Sequence, residues 1–340
     1  MAGPTKRTSI KEVADALGVS KTLVSLVINN KGDDYGISKE TQRRVSDKVK
    51  ELNYHPNLIA KALRTGKTNT IALIVPDIAN IFYGRIAKAI ERQAIKNGYH
   101  LIIASSEEDP QQEENLIQWV TERQQADGLI LATTEQTGEH FNALIKQRFP
   151  LVLFDRSVDA PAHKVMVDNR KGAYIAAEAM IKSGKNRLRM LSITPGHLST
   201  IQERIAGFID ALSDNKISVS DAIINIPFDK VSTAVSNYLD NALKNNVFPE
   251  GIFTANNTVA LAVIGYLQKH NIAVPQKTAV VSFDDIDLFS LINPPVTAIS
   301  QPIEELANKA VDLLLKSIES NEVAHEELTL PVELIRRESV

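Results

Sequence analysis

In this 340-residue sequence, the polar side chains best suited to bind a ligand recur at one kind of place, directly after a short apolar run. Asp77 and Asn80, with Phe82, follow "TIALIV"; Asp155 and Arg156 follow "PLVLF"; Asp168 and Asn169 follow "VMV"; Asn256 and Asn257 follow "GIFTA"; Asp284 and Asp285 follow "VVSF". A carboxylate accepts from neighbouring hydroxyls and a guanidinium donates in parallel pairs. A cleft rimmed by both, with aromatic faces beside them, therefore suits a polyhydroxylated ligand. Aspartate and asparagine at such places are also ordinary caps and turn formers, so the argument rests on the set and not on any single residue. No reaction chemistry emerges: there is no glycine-rich phosphate loop, no G-x-S-x-G elbow and no H-E-x-x-H. The seven histidines are widely separated, so neither a metal site nor a catalytic residue is expected, and no cofactor is implied. An enzyme would need a convergent acid and base.

A second candidate chemistry lies near the start, in "SKTLVSLVIN", residues 20–29. Ser9 and Glu12 have capping-box spacing, which predicts a helix carrying Ile10, Val13, Ala14 and Leu17 at helical intervals. Gly18 supplies a turn, Ser20 a new N-cap, and Val24, Val27 and Ile28 the next apolar stripe. A helical hairpin shares that periodicity, but small residue, turn glycine and cap together form the helix-turn-helix pattern, whose second helix enters the major groove of DNA. With the valines inward, Lys21, Thr22, Ser25, Leu26 and Asn29 form the opposite face. Leu26 can pack on a thymine methyl group but cannot hydrogen-bond a base. A third helix should follow from Ser38, carrying Val45, Val49 and Leu52. After Pro56, a short stretch capped by Asn57 carries Leu58, Ile59, Ala62 and Leu63 among Lys61, Arg64 and Lys67. It reads either as a linker lying on a domain or as a segment that folds on DNA.

Charge follows the same division. Residues 1–69 hold 13 Lys or Arg against 7 Asp or Glu, net +6, whereas residues 70–340 hold 25 against 34, net −9, which together give the chain's −3. A basic head on an acidic body fits a phosphate-binding module, and a solvated charge run would give the same count. The absence of cysteine excludes disulfides, thiolate metal sites and a cysteine nucleophile, and fits a cytoplasmic setting. No secretion signal and no membrane span is expected. From Asn69 onward, short apolar strands alternate with helical stretches in two series, the first through "PLVLFD" and the second beginning at "VMVD". That rhythm predicts an α/β core of two doubly wound, mostly parallel sheets with ligands at the carboxyl ends of strands. Trp119, on an apolar helix stripe with Leu116, reads as core or subunit-interface packing.

Over nearly its whole length the chain resembles the LacI/GalR family of bacterial transcription repressors. The resemblance is carried by "SIKEVADALGVSKTLVSLVIN", "ELNYHPNLIAKALRTGKTNTIALIVPDIANIFY", "DGLIL", "FDR", "VDNRKGA", "ERIAGFIDAL", "VVSFDDI" and "LPVELIRRES". It implies an all-α helix-turn-helix domain at 1–55, a hinge helix and linker at 56–69, and a periplasmic-binding-protein-like core at 70–340. Within that core, one subdomain takes about 70–166 and 297–323, and the other about 167–296 and 324–340. It further implies a homodimer on a pseudo-palindromic operator, regulated by a small effector, most simply a sugar or sugar derivative. The implied DNA-contact set is Ser9, Ser20, Lys21, Thr22, Ser25, Leu26, Asn29, Asn57, Ala62, Leu63 and Arg64, with Leu63 wedged into the minor groove. The implied effector set is Asn80, Phe82, Asp155, Arg156, Arg204, Asn256 and Asp284; Arg204 enters only through the resemblance.

Some positions depart from the family pattern. Leu26 stands where arginine or histidine is usual, the "NNKGDDYGISKE" turn is longer and carries Asp33-Asp34, Ile81 replaces a common proline, and Asn257 replaces a common aspartate.

Overall fold

The computed structural model describes residues 8–54, 66–320 and 325–340, in two units that join between Thr68 and Asn69. The first unit is helical, with α1 (Ile10–Leu17), α2 (Lys21–Ile28) and α3 (Lys39–Glu51). The capping box is present: Glu12 N–H donates to Ser9 Oγ (3.3 Å) and Ser9 N–H donates to Glu12 Oε2 (2.6 Å). Gly18 ends α1 with φ +66°, a left-handed conformation in which glycine has no Cβ to clash. Ser20 caps α2 through the Leu23 N–H and Ser38 caps α3 through the Thr41 N–H. Val13, Ala14, Val24, Val27 and Val45 form the buried centre. Ile28, half-buried, packs against it, as does Leu23, which the apolar stripe did not include. The hinge helix, with Asn57, Ala62, Leu63 and Arg64, lies outside the described residues.

In the second unit, the alternating runs form two sheets of six strands among the described residues. The first is ordered β11-β5-β4-β3-β1-β2, from Glu327–Leu330, His163–Val167, Leu151–Phe154, Gly128–Leu131, Thr70–Val75 and His100–Ser105. The second is ordered β12-β10-β9-β8-β6-β7, from Glu333–Ile335, Thr297–Ser300, Ala279–Phe283, Gly251–Thr254, Leu188–Ile193 and Ile223–Ile226. Every pairing is parallel except β12 against β10. Central strands β3, β4, β8 and β9 are buried throughout, as sheets covered by helices on both faces require.

Two boundaries differ from the sequence expectation. The "VMVD" strand, read as opening the second series, pairs with β4 and β11 in the first sheet. Strand β10 belongs to the second sheet and β11 to the first, whereas 297–323 was expected with the first subdomain and 324–340 with the second. The chain thus crosses after Val167, after Ser300 and after Leu330, and the helix Ile303–Glu319 does pack against β3, β4 and β5. An apolar run shows that a strand is buried, but hydrogen-bonded neighbours decide which sheet holds it.

Two packing details position the cleft. A Cβ on Gly207 would lie 1.9 Å from Arg170 O, so glycine alone lets the Ser199–Asp214 helix press this closely on the Asn169–Lys182 helix. In the first lobe Glu113 is fully buried, accepting from Thr133 Oγ1 (2.6 Å), Thr134 N–H (2.6 Å) and Thr134 Oγ1 (2.8 Å).

Candidate ligand cleft and DNA-reading helix

The carboxyl ends of the two sheets face a shared cleft of about 560 Å³, its open mouth included. From the first lobe, Asp77, Asn80, Phe82, Tyr83, Glu108, Asp155 and Arg156 line it; from the second, Thr200, Arg204, Phe228, Asn256 and Asp284, with Gln301 at a crossover. Asp155 and Asp284 sit one residue past β4 and β9 with φ +60° and +69°. Both aspartates therefore occupy left-handed backbone, sparsely populated by residues other than glycine, in matching places on the two sheets.

The side chains hold one another in place. Tyr83 Oη donates to Asp155 Oδ2 (2.8 Å), and Gln301 Nε2 donates to Asp284 Oδ1 (2.6 Å). Arg156 makes a bidentate pair with Glu108, Nη1 to Oε2 at 2.7 Å and Nη2 to Oε1 at 2.6 Å. Arg204 donates from Nε to Asn169 Oδ1 (2.8 Å) and from Nη1 to Ala255 O (2.6 Å), with its guanidinium 3.5 Å from the Phe283 ring centroid. Burial raises the Asp155 pKa against the pull of Arg204 and Arg156. Burial likewise lowers that of Arg204, opposed by Asp284 and Asp155. Burial opposes the Arg156 charge too, yet Tyr83, Glu108 and Asp155 together hold its pKa above the ordinary arginine value.

Among the described residues, four hydrogen bonds tie the lobes across the cleft. Asn257 Nδ2 donates to Asn80 Oδ1 (3.0 Å) while reaching Asp284 Oδ2 (3.4 Å). His197 Nε2 donates to Thr134 O (3.0 Å), Ser157 N–H to Ser199 Oγ (2.9 Å) and Arg85 Nη1 to Asp285 O (3.0 Å). An aspartate at 257 could accept but not donate, so the departure at that position creates the lobe-to-lobe bond.

In the head, α2 exposes Lys21, Thr22 and Asn29, while Ser25 and Leu26 are half-buried. Leu26 is not among the side chains packed on the head's core, unlike Leu23 and Ile28. Asn29 Nδ2 donates to Ser25 O (2.7 Å). Ser9 and Ser20 are caps whose oxygens already accept backbone bonds. Asp33, in the long turn, is bound back onto α3 by Lys39 Nζ (2.7 Å) and Gln42 Nε2 (2.8 Å).

A helix-turn-helix head in sequence with a two-sheet cleft is matched elsewhere. Residues 9–57 match the family described as bacterial regulatory proteins, lacI family, and residues 177–340 match the periplasmic binding protein-like domain. The chain is 31% identical over 340 residues to the HTH-type transcriptional regulator DegA of Bacillus subtilis, covering 98% of each. It belongs to the LacI family. Its fold is that of the Lac repressor dimer bound to operator and the anti-inducer ONPF, at TM-score 0.85 and 22% identity over 98% of this chain and 99% of that one. A LacI family transcriptional regulator from Enterococcus faecium with bound ribose matches at TM-score 0.70 and 27% identity, over 79% of this chain and 98% of that one. This LacI-family chain is therefore a DNA-binding transcriptional regulator and not an enzyme.

Within this family member, the structure brings Asn80, Phe82, Asp155, Arg156, Arg204, Asn256 and Asp284 to one cleft. Asp168 instead caps a helix through the Lys171 N–H, and Asp285 pairs bidentately with Arg337. Sequence reasoning missed Tyr83, Glu108 and Gln301. Tyr83 was within reach, one residue past Phe82 in the same stretch. Glu108 lies in a loop and Gln301 past a strand the rhythm did not find, so neither carried a local signal. Trp119, expected as core or subunit-interface packing, is 36% exposed and so is not core. Among the described residues no helix is long and apolar enough to cross a membrane, and no acidic, histidine or cysteine group could hold a metal ion.

Proposed function

We propose that this regulator is a cytoplasmic repressor that binds a pseudo-palindromic operator as a homodimer and is controlled by a sugar-like effector held in the cleft. The observation that carries this reading is the buried set of Asp155, Arg204 and Asp284, each hydrogen-bonded to its own neighbours, in a cleft that both lobes line. A ligand that prefers one arrangement of the lobes shifts the population toward it, and with it operator affinity. Ribose in the Enterococcus faecium relative supports the effector class. The homodimer is supported by edge strand β2, where Ile103 is 42% exposed and the N–H of exposed Ile78 donates to Ser105 Oγ (3.3 Å).

On the DNA, Lys21, Thr22, Ser25, Leu26 and Asn29 face the major groove, with Ser9 and Ser20 orienting their helices beside the phosphates. Asn57, Ala62, Leu63 and Arg64 act in the hinge, Leu63 entering the minor groove. Leu26 reads a thymine methyl group where relatives hydrogen-bond. Selection from random DNA should recover a palindrome whose binding weakens steeply with salt and responds to sugars. Leu26→Ala should reduce operator affinity by about tenfold and relax one base position in each half-site. Equal weak binding to every sequence would overturn the reading.

A further inference from the structure

The cleft carries its own charge rule. Among the described residues four carboxylates line it, Asp77, Glu108, Asp155 and Asp284, against two guanidiniums, Arg156 and Arg204, with no lysine or histidine. Both guanidiniums already bond the protein, although Arg156 Nε is buried with no hydrogen-bond partner. Arg156 is closed off by both oxygens of Glu108, with the two side chains 9% and 11% exposed. Arg204 is spent on Asn169, Ala255 O and the face of Phe283, with Asp155 and Asp284 supplying the nearby negative charge. Burial raises the Asp155 pKa, yet a protonated Asp155 would still leave three carboxylates against two cations.

Two further observations point to what the ligand must offer. Asp155 Oδ1 and Gln301 Oε1 are buried acceptors with no hydrogen-bond partner, in side chains 5% and 7% exposed that line the cleft. Both ask for a donor, and the equally unpartnered Arg156 Nε asks for an acceptor, which a hydroxyl also supplies. Glu108 and its neighbour Glu107 both hold left-handed backbone, φ +59° and +54°, a costly conformation for glutamate that sets the Glu108 carboxylate against Arg156.

From these contacts we infer that the effector of this regulator is an uncharged polyhydroxylated molecule whose hydroxyls donate to Asp155 Oδ1 and Gln301 Oε1, and that Glu108 is the residue that excludes anionic analogues by neutralising Arg156. The inference rests on the effector reading of the cleft and narrows its ligand class. Sugar acids and sugar phosphates are rejected by the same site that accepts their neutral parents.

The test measures direct binding to the full chain by calorimetry and by thermal shift, without DNA. The probes are ribose, glucose and cellobiose, each against an anionic counterpart: ribose 5-phosphate, gluconate and glucose 6-phosphate, and cellobionate. At least one neutral probe should bind at least tenfold more tightly than its anionic counterpart in wild type. Glu108→Gln, similar in size but uncharged, should narrow that ratio at least tenfold by leaving the Arg156 charge uncompensated. Tighter binding of an anion than of its neutral parent, binding of none of the neutral probes, or an unchanged ratio in Glu108→Gln overturns the inference. The wild-type comparison stands even if the variant fails to fold. Repeating the titration with operator present separates the two readings: a sugar that binds with neutral selectivity but leaves operator affinity unchanged overturns the allosteric reading and keeps the charge rule, whereas an anion that shifts operator affinity does the reverse.

Discussion

The face of α2 and the floor of the cleft, the two binding surfaces we propose, are built in opposite ways. On α2, Lys21, Thr22 and Asn29 stand in solvent and the main side-chain bond is a local one from Asn29 to Ser25. In the cleft, Asp155, Arg156, Arg204 and Asp284 are all at least nine-tenths buried, and most of their polar atoms are bonded to residues distant in sequence. A duplex brings its own charge and hydration, so a surface that reads it can leave its donors in water until contact. A small ligand must be enclosed, and enclosing charge without a compensating network is strongly unfavourable. Removing one cleft residue should therefore disturb folding as well as recognition, whereas removing one α2 contact should disturb recognition alone.

The largest effect should come from Arg204→Ala. It leaves Asn169 Oδ1 and Ala255 O without their donor and two nearby carboxylates without a cation, which should lower stability by about 3 kcal/mol and abolish effector binding. Denaturant titration of the full chain and calorimetry with a bound sugar check both; a neutral change in stability would erase the contrast drawn above. Next, Val24→Ala removes two methyl groups from a fully buried site in the head's small core and should destabilise that unit by about 2 kcal/mol. Operator affinity should fall while sugar binding is retained, because the cleft lies in the other unit. Loss of sugar binding in Val24→Ala would show that the two surfaces share more stability than their separate cores imply.

The smallest effect sharpens the point about buried charge. Burial raises the Glu113 pKa even though two threonine hydroxyls and a backbone N–H stabilise its ionised form, with His140 nearby. A carboxyl whose folded pKa is raised supports the fold below its unfolded pKa and loses that support as pH rises through the folded value. Glu113→Gln has no such loss, so the stability of wild type relative to Glu113→Gln should decline as pH rises from about 4. Paired melts from pH 4 to pH 8 measure it, and parallel curves would refute the burial argument.

Local chemistry was legible in one dimension. Ser9 with Glu12, Gly18 and Ser20 announce the helix ends because capping involves atoms three residues apart, and the valine stripe announces the head's core for the same reason. The strand rhythm announced two α/β sheets, and the residues after the strands announced seven of the sixteen that line the cleft. Its failures are equally physical. β10 and β12 are short strands with no α-helix directly before them, so the alternation does not mark them.

The sequence by itself determined the kinds of element, their capping, the basic head on an acidic body, and which side chains stand at strand ends, since each depends on neighbours a few residues away or on simple addition of charge. Tertiary structure alone decided which sheet received Val167 and Thr297, that Glu108 would close off Arg156 from 48 residues away, and that Asn257 would bridge to Asn80 from 177 residues away. Those outcomes depend on which strands hydrogen-bond side by side and on how two lobes meet, and neither quantity has a local signature in the chain.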